Sequence, residues 1–314
     1  MLRVRSESDP STCHKLWQQM VPQRMLADDW EIRECFHRHY QRDFFFIVAE
    51  DDGNPVGLFP LCFVPEENSY VYFPGEVWHG KTWIEQNRLI ARDQNVFDRM
   101  LEWMNGQGLS YHLRYLSPSA YVCPERFPVD EIGYLFHAGN YQHDMDIYYS
   151  TFSRRSIKSI KKEVAAFEER GMEYRFDDPS DFDLLVKMNI ERFGQDSYYA
   201  DDRFTESFRD MMRLLQKRGW FRMVTVLIEG KPAATDIGSV YNNVYTLLAG
   251  GTSADFVGIA KVINLFHMKR ACQEQFGEAD FLCGDFSWKT MFHLTPRPLY
   301  LISNKIADAS PEGA

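Results

Sequence analysis

Hydrophobic and polar positions follow one and the same pattern in two separate stretches of the chain. Residues 44–64 read FFFIVAEDDGNPVGLFPLCFV, and residues 220–241 read WFRMVTVLIEGKPAATDIGSVY. In each stretch a run of aromatic and β-branched residues is broken by a turn that contains Gly and Pro, and a second such run follows. Because such runs form strands and such breaks form tight turns, the pattern predicts a β-hairpin in each half of the chain.

The residues that follow the two hairpins also correspond in order. After the first hairpin the pattern predicts a strand at 70–73, a helix at 83–105 and a strand at 111–116. After the second it predicts a strand at 244–248, a helix at 259–276 and a strand at 280–283. Since hairpin, strand, helix and strand recur in the same order, we expect an internal duplication.

The second half carries additional helices ahead of its hairpin. The pattern predicts these at 154–170, from 178–180 onward, and at 203–218, where Gly171 and Gly219 end the first and the last. We place the domain boundary near Gly139-Asn140. The expected organisation is a first domain at 1–140, a second at 141–303 and a flexible tail at 304–314.

Composition narrows the class of protein. The chain has 314 residues, of which 45% are hydrophobic and 25% charged, as in ordinary globular proteins. Its net charge of −10 argues against a broad nucleic-acid surface. The longest apolar run, 44–49, is too short to cross a membrane, and no secretory signal opens the chain, so we expect a soluble, cytoplasmic protein. The six cysteines form no CxxC pair and His37 and His39 find no third ligand, so we expect no metal site.

A candidate anion site lies between the second predicted strand and its helix. The strand at 244–249 leads into Gly250-Gly251, a polar loop, and Val257, Gly258, Ile259, Ala260 and Lys261 at the start of the helix. The first amides of a helix lack internal partners and carry positive partial charge, and glycine lets a phosphate approach them. The alternative that these glycines only turn the chain stays open.

Charged residues follow the strand at 280–283. Lys289 is a candidate for neutralising a phosphate or an oxyanion, and Asp285 for orienting an amine or accepting its proton. A surface salt bridge beside a buried Trp288 is the alternative. Asp236, in the second hairpin, either faces a cleft as a base or faces water. His267 lies beside the apolar face of the helix at 259–276, so we interpret it as structural or exposed rather than catalytic.

A basic stripe marks the predicted helix at 154–170. It consists of five cations in nine residues, Arg154, Arg155, Lys158, Lys161 and Lys162. Positions 154, 158 and 161 or 162 lie three to four residues apart and therefore share one helix face. The stripe is a candidate phosphate-binding surface for a nucleotide, a lipid phosphate or an RNA acceptor stem. The alternative is a solvated face balanced by Glu163, Glu168 and Glu169.

Four consecutive segments together resemble a known family. The segments EGKPAAT, YTLLAGGTSADF, VGIAKVINLFHMKRA and ADFLCGDFSWKTMF, in this order, are similar to the acetyltransferase domain of Fem-like proteins, in the GNAT superfamily. The resemblance covers about 141–303. It implies an α/β fold of tandem GNAT-like domains, each a mixed, mostly antiparallel sheet flanked by helices, with 1–140 as a diverged copy.

The resemblance also implies roles for particular residues. Residues 255–260 align with the loop that binds the pyrophosphate of an acyl-CoA, although Asp255 stands where a cation or an amide is usual, which weighs against coenzyme A. Gly284 to Lys289 matches a Gly-x-x-x-Tyr-Lys motif near the active cleft, with Trp288 in place of Tyr. This match makes Lys289 the leading catalytic candidate. We predict that Trp288 binds the substrate, together with Arg154, Arg155 and Lys158 of the basic stripe.

The expected function is N-acyl transfer from acetyl-CoA or another acyl-CoA to an amine of a small molecule or a cell-envelope precursor. The amine attacks directly, because no Cys or Ser lies in a nucleophile motif. A Fem-type transfer from aminoacyl-tRNA is the second hypothesis, which the acidic net charge disfavours. A non-catalytic GNAT-like binding protein is the third, and it rests on Asp255.

Overall fold

The computed structural model describes residues 1–284 and 287–305, with the side chain of Ser287 left out. The chain forms two compact units, Met1–Ile132 with the C-terminal segment from Pro298, and Gly133–Arg297. The boundaries fall inside the strands Val129–Phe136 and Thr295–Ser303. The boundary that we place near Gly139-Asn140 lies in the short 3-10 helix Ala138–Tyr141 of the second unit.

The first unit is a small antiparallel sheet with three helices in its described part. Its elements are β1 (Leu2–Glu7), α1 (Pro10–Met20), α2 (Trp30–Tyr40), β2 (Phe46–Asp51), β3 (Asn54–Phe59), β4 (Leu61–Val64), β5 (Ser69–Tyr72), β6 (Ile90–Ala91), α3 (Gln94–Gly106) and β7 (His112–Leu116). The sheet has the order β1-β2-β3-β6, and β4 and β5 form a separate hairpin. One hydrophobic core joins α1 and α3 to this sheet through Trp17, Val96, Phe97 and Met100.

The second unit holds the larger sheet. Its elements are β8 (Val129–Phe136), α4 (Met145–Ser150), α5 (Arg154–Glu168), β9 (Met172–Phe176), α6 (Phe182–Phe193), α7 (Asp202–Lys217), β10 (Phe221–Ile228), β11 (Lys231–Tyr241), β12 (Val244–Thr252), α8 (Ile259–Gln273), β13 (Glu278–Asp280), α9 (Ser287–Met291) and β14 (Thr295–Ser303). The strand order is β8-β13-β12-β11-β10-β9. The β12–β13 pair is parallel, and the other pairs with an assigned register are antiparallel.

Side chains divide the sheet of the second unit into two faces. On one face Val224, Val226 and Ala234 pack against Phe167 of α5 and Ile263 of α8. On the other face the hydroxyl of Thr225 donates to buried Asp181, which lies just before α6, and accepts a hydrogen bond from the hydroxyl of Thr235. Since neighbouring residues of a strand point to opposite faces, Asp236 lies on the α8 face.

The predicted elements differ from the structure mainly at their ends. The predicted helix at 83–105 is wrong in its first half, because α3 begins only at Gln94, where the side chain of Asp93 caps it. Glu76 is buried and accepts hydrogen bonds from the amides of Trp83 and Ile84, which holds that segment outside a helix. The predicted strand at 280–283 ends at Asp280, and α8 ends at Gln273.

In the described residues, no helix is long and apolar enough to cross a membrane. None of the six cysteines, all of which are described, forms a disulfide.

Candidate functional site

The candidate site of the second unit lies where the strands β12 and β13 stop pairing. The parallel pairing of β12 with β13 covers only Val244–Thr246 opposite Glu278–Asp280, whereas β12 continues along β11 to Thr252. Within the described residues, the segment 247–252 therefore has no strand on its β13 side. An unpaired strand edge presents main-chain donors and acceptors. Opposite the step from Ile237 to Gly238 the register shifts, and such bulges redirect the neighbouring side chains.

Helix α8 begins beside this edge without a side-chain cap. Its N-cap is Gly258, with a φ of +94°, and a Cβ added there would meet only Glu163 Oε2, at 4.0 Å. Val257 is 91% exposed. The amides of Ile259 and Lys261 already donate to the carbonyls of Phe256 and Gly258. The start of α8 is thus open to solvent, although two of the five predicted amides have internal partners.

A carboxylate already lies at the start of α8, and it is not the one that the sequence suggests. Asp255 is exposed, and its backbone amide donates to Ser253 in a turn. Instead Glu163 of α5 forms an ion pair with Lys261, with 2.6 Å between Nζ and Oε2. Because both side chains are partly exposed, this pair contributes about 0–1 kcal/mol to stability.

The basic stripe of α5 is exposed, and it lies at the unfavourable end of its helix. Ser153 caps α5, and all five cations of the stripe follow within its first nine residues. In the described part of the chain, Arg154, Arg155, Lys158 and Lys162 form no ion pair, while Lys161 lies over the ring of Tyr149. A helix N-terminus carries positive partial charge, so cations there destabilise the helix. The stripe therefore gives up some stability for an exposed positive surface.

Lys289 has a different environment from the one that its predicted role requires. Its side chain is buried, and Nζ donates to the carbonyls of Phe281, Leu282 and Cys283 at 3.0, 2.9 and 2.8 Å. An ammonium has three protons, enough to donate to all three of these carbonyls. The structure thus gives Lys289 a structural role in holding the segment that follows β13, and a role toward a ligand stays a prediction.

The other described residues at and after β13 contact neighbouring protein side chains. Trp288 packs its ring against Phe281 and Phe292, with centroids 5.6 and 6.0 Å away. Asp285 lies outside the described residues. Asp280, at the end of β13, is fully buried and forms a bidentate pair with Arg297. Burial raises the pKa of the neighbouring Glu278.

The side chain of Asp236 is part of a buried hydrogen-bond chain. Its Oδ2 lies 2.9 Å from His267 Nε2, and His267 Nδ1 lies 2.8 Å from the hydroxyl of Tyr245. His267 is fully buried, and the side chain of Asp236 is 12% exposed. Burial also raises the pKa of Tyr245 well above its usual range. Of these three residues, Asp236 is a candidate from the sequence, His267 is predicted to be structural or exposed, and Tyr245 is not predicted at all.

Two glycines make room for this chain of side chains. A Cβ added to Gly250, directly opposite Asp236, would collide with Asp236 Oδ1. A Cβ on Gly238 would lie 2.6 Å from the ring of Tyr245. Gly250 itself is exposed, so the carboxylate of Asp236 reaches solvent past its bare Cα. Asp236, Tyr245 and His267 belong to three different elements, β11, β12 and α8, so no spacing in the sequence indicates that they meet.

Within the described residues, no group of three or more His, Cys, Asp and Glu side chains could hold a metal ion. The site of the second unit therefore consists of an open strand edge, an open helix start, a basic helix face and one partly exposed carboxylate.

Comparison with known proteins identifies the domain. Residues 154–290 match the model of the acetyltransferase (GNAT) domain. No curated protein sequence matches the chain. Among solved structures, the chain is similar to the C-terminal domain of a putative lysylphosphatidylglycerol synthetase from Agrobacterium fabrum, with 12% identity over 96% of this chain and 94% of that one, at a TM-score of 0.56.

Two further structures extend the likeness over both units. FemX has 12% identity over 94% of this chain and 95% of its own, at a TM-score of 0.56. A tandem GNAT protein from the clavulanic acid biosynthesis pathway has 8% identity over 98% and 100%, at a TM-score of 0.54. The resemblance to Fem-like GNAT proteins and the tandem GNAT-like fold are thereby confirmed. At these identities the structures establish the fold alone.

Proposed function

We propose that this chain, a tandem GNAT-fold protein with an acetyltransferase domain at 154–290, is an N-acyltransferase that uses an acyl-CoA. The observation that carries the proposal is the coincidence of three features in the second unit. The unpaired edge of β12, the open start of α8 and the carboxylate of Asp236 all lie on or beside the same two strands. The acceptor is an amine of a small molecule or of a cell-envelope precursor.

The donor would bind along β12 and at the start of α8. A diphosphate placed at Gly258 would meet the positive end of α8, where Glu163 Oε2 is the nearest side-chain atom to an added Cβ, at 4.0 Å, and it would reach Lys261 by displacing Glu163. The acyl carbonyl would lie against the main chain of 247–252, whose donors can stabilise a developing oxyanion. Neither a metal nor a covalent acyl-enzyme is needed for this reaction.

The chemical step is a direct transfer. The amine nitrogen attacks the thioester carbon, a C–N bond forms, and the C–S bond breaks to release the thiol of coenzyme A. The proton lost by the nitrogen passes to the carboxylate of Asp236 and then to the leaving sulfur. Asp236 suits this task because it is anchored at one oxygen and accessible at the other.

The basic stripe supports a phosphate-bearing ligand. Arg154, Arg155 and Lys158 are exposed and free of ion pairs in the described chain, at a helix end where cations are unfavourable. We propose that they bind phosphate groups of the acceptor or of the donor. This surface also favours the second candidate function, transfer from an aminoacyl-tRNA, whose acceptor stem carries many phosphates.

A thermal-shift measurement tests the donor. A donor at one hundred times its Kd stabilises the folded chain by about 2.7 kcal/mol, so its binding gives a clear rise in Tm. We expect that rise with acetyl-CoA. A rise only with charged tRNA would favour the second function, and no rise with either would favour a binding protein without catalysis.

A pair of glycine variants sharpens this test. Gly258→Glu places a carboxylate at the start of α8 and should abolish the shift with acetyl-CoA. Gly219→Glu is the matched control, because Gly219 also has a positive φ, of +71°, and open space around its Cα, at the end of α7. Both variants carry similar backbone strain. An unchanged shift in Gly258→Glu would remove α8 from the donor site.

A further inference from the structure

We infer that His267 and Tyr245 are positioning residues that hold the carboxylate of Asp236 in one orientation for accepting the proton of the amine. The inference rests on the proposed function and adds two residues to its site. Both lie behind Asp236, away from solvent, so they act on the reaction through Asp236 and do not touch the substrate.

The chemistry of the three groups fixes the direction of their hydrogen bonds. An ionised carboxylate only accepts, so the bond of 2.9 Å requires a proton on His267 Nε2. A neutral imidazole then has Nδ1 as an acceptor, and the Tyr245 hydroxyl, 2.8 Å away, donates to it. The donor and the acceptor of each hydrogen bond are therefore determined by the bond before it. Tyr245 selects the tautomer of His267, and His267 fixes the Oδ2 of Asp236.

The arrangement separates the two oxygens of Asp236. Oδ2 is bound to His267 on α8, whereas Oδ1 lies against Gly250 in the neighbouring strand. Because Gly250 is exposed and has no side chain, Oδ1 is the oxygen that an amine can reach. A carboxylate held at one oxygen keeps the other in a defined position, and such positioning contributes to the rate of proton transfer.

The backbone around this chain is unusual for central strands. Gly238 and Gly250 lie in the interior of β11 and β12, where glycine costs about 0.5–1 kcal/mol each relative to alanine. Both are needed sterically, since a Cβ at either would meet Tyr245 or Asp236. The sheet therefore loses some stability at Gly238 and Gly250, the two positions that make room for the side chains of Tyr245 and Asp236.

Kinetics of position-specific variants test the inference. The assay follows thiol release from acetyl-CoA with a panel of amino acids, amino sugars and diamines as acceptors. His267→Leu should lower kcat about 100-fold and leave the KM for acetyl-CoA within about threefold. His267→Gln, whose amide nitrogen can donate to Oδ2, should recover at least about tenfold of that loss. Tyr245→Phe should cost about three- to tenfold.

The matched control is Asp181→Asn. Asp181 is also a buried, hydrogen-bonded aspartate of this unit, but it lies on the opposite face of the sheet, paired with Arg175. Its replacement should leave kcat unchanged even where it lowers Tm. A loss of kcat in Asp181→Asn as large as that in His267→Leu would show that folding, and not positioning, causes the effect, and would overturn the inference.

Ring-nitrogen NMR of the wild-type chain gives a second measurement that needs no variant to fold. The expected spectrum of His267 is that of a neutral ring protonated at Nε2. A ring protonated at Nδ1 would overturn the inference. Wild-type turnover with an unchanged kcat in His267→Leu would overturn it and leave the proposed function intact. No wild-type turnover with acetyl-CoA or charged tRNA would overturn the proposed function together with the inference.

Discussion

The hairpins of the two units are built alike but filled differently. β2–β3 and β10–β11 share one register, in which Pro55 and Pro232 occupy the same place beside a shift of one residue. Counted from that shift, Phe59 of the first unit stands where Asp236 stands in the second. Since one irregularity recurs at the same place in both, the hairpins support the internal duplication independently of any motif.

The same position contacts a helix in both units, through different chemistry. Phe59 is fully buried and packs edge-on against Phe97 of α3, with ring centroids 5.3 Å apart. Asp236 instead bonds to His267 of α8. One duplicated scaffold thus carries an apolar contact in the first unit and a polar one in the second. At this position the first unit therefore has an apolar packing contact and the second a hydrogen-bonded carboxylate, and our proposal that Asp236 takes a proton rests on this difference.

The largest expected effect is on turnover, and it comes from replacing Asp236 in the second hairpin. Asp236→Asn keeps the volume of the side chain but removes its ability to take a proton, so we expect turnover to fall about 10²- to 10⁴-fold. The measurement is kcat with acetyl-CoA and the best acceptor of the panel. Retained turnover would mean that the polar position is a packing feature like Phe59, and the contrast between the hairpins would lose its meaning.

Replacing Phe59, at the corresponding position of the first unit, should lower stability. Phe59→Ala removes a buried ring from the core with α3, and such changes cost about 3–5 kcal/mol in the free energy of unfolding. Urea denaturation measures this cost. Phe176→Ala, at a position in β9 that is 51% exposed, is the control and should change stability far less. An equal effect of both would contradict the assignment of Phe59 to the core.

Lys289 should behave as a structural residue in the same experiment. Lys289→Met retains most of the buried stem but leaves the carbonyls of residues 281–283 without their donor, at a cost of about 1–3 kcal/mol. The urea midpoint measures this loss of stability, and turnover and donor affinity are measured on the same variant. Loss of turnover without loss of stability would restore the catalytic role that the sequence suggests.

The smallest expected effect is a difference in stability between variants of two buried tyrosines, Tyr199 and Tyr245. The hydroxyl of Tyr199 has no hydrogen-bond partner within the described structure, so Tyr199→Phe should leave stability unchanged or raise it by about 1 kcal/mol. Tyr245→Phe removes a hydroxyl that is bonded to His267 and should lower stability by about 1 kcal/mol. Thermal unfolding of the two variants measures both. A loss in Tyr199→Phe equal to that in Tyr245→Phe would contradict this difference.

Much of the fold follows from local pattern. The hairpins, the helix at 154–168 and the start of α8 could be predicted because turns, caps and apolar spacing are local signals. The start of α3 could not, since a distant side chain, Glu76, holds residues 83 and 84 outside the helix.

The site was harder to predict than the fold, for a physical reason. Asp236 stood out because it is charged within an apolar strand, whereas His267 has apolar neighbours on its helix and resembles a residue of the core. The bond between them depends on which face of β11 meets α8 and on the glycines opposite. Lys289 stays a candidate from the sequence, and its carbonyl partners could not be predicted because they depend on how the segment after β13 folds around its ammonium.

The ion pair between Glu163 and Lys261 has a consequence for any anion that approaches α8. Glu163 is a tethered competitor, with an effective concentration on the order of millimolar for a group held so close. A phosphate therefore gains Lys261 only by displacing a carboxylate that never diffuses away. We therefore expect a diphosphate, which has more charge and more acceptor oxygens, to compete better for Lys261 than a weakly charged ion.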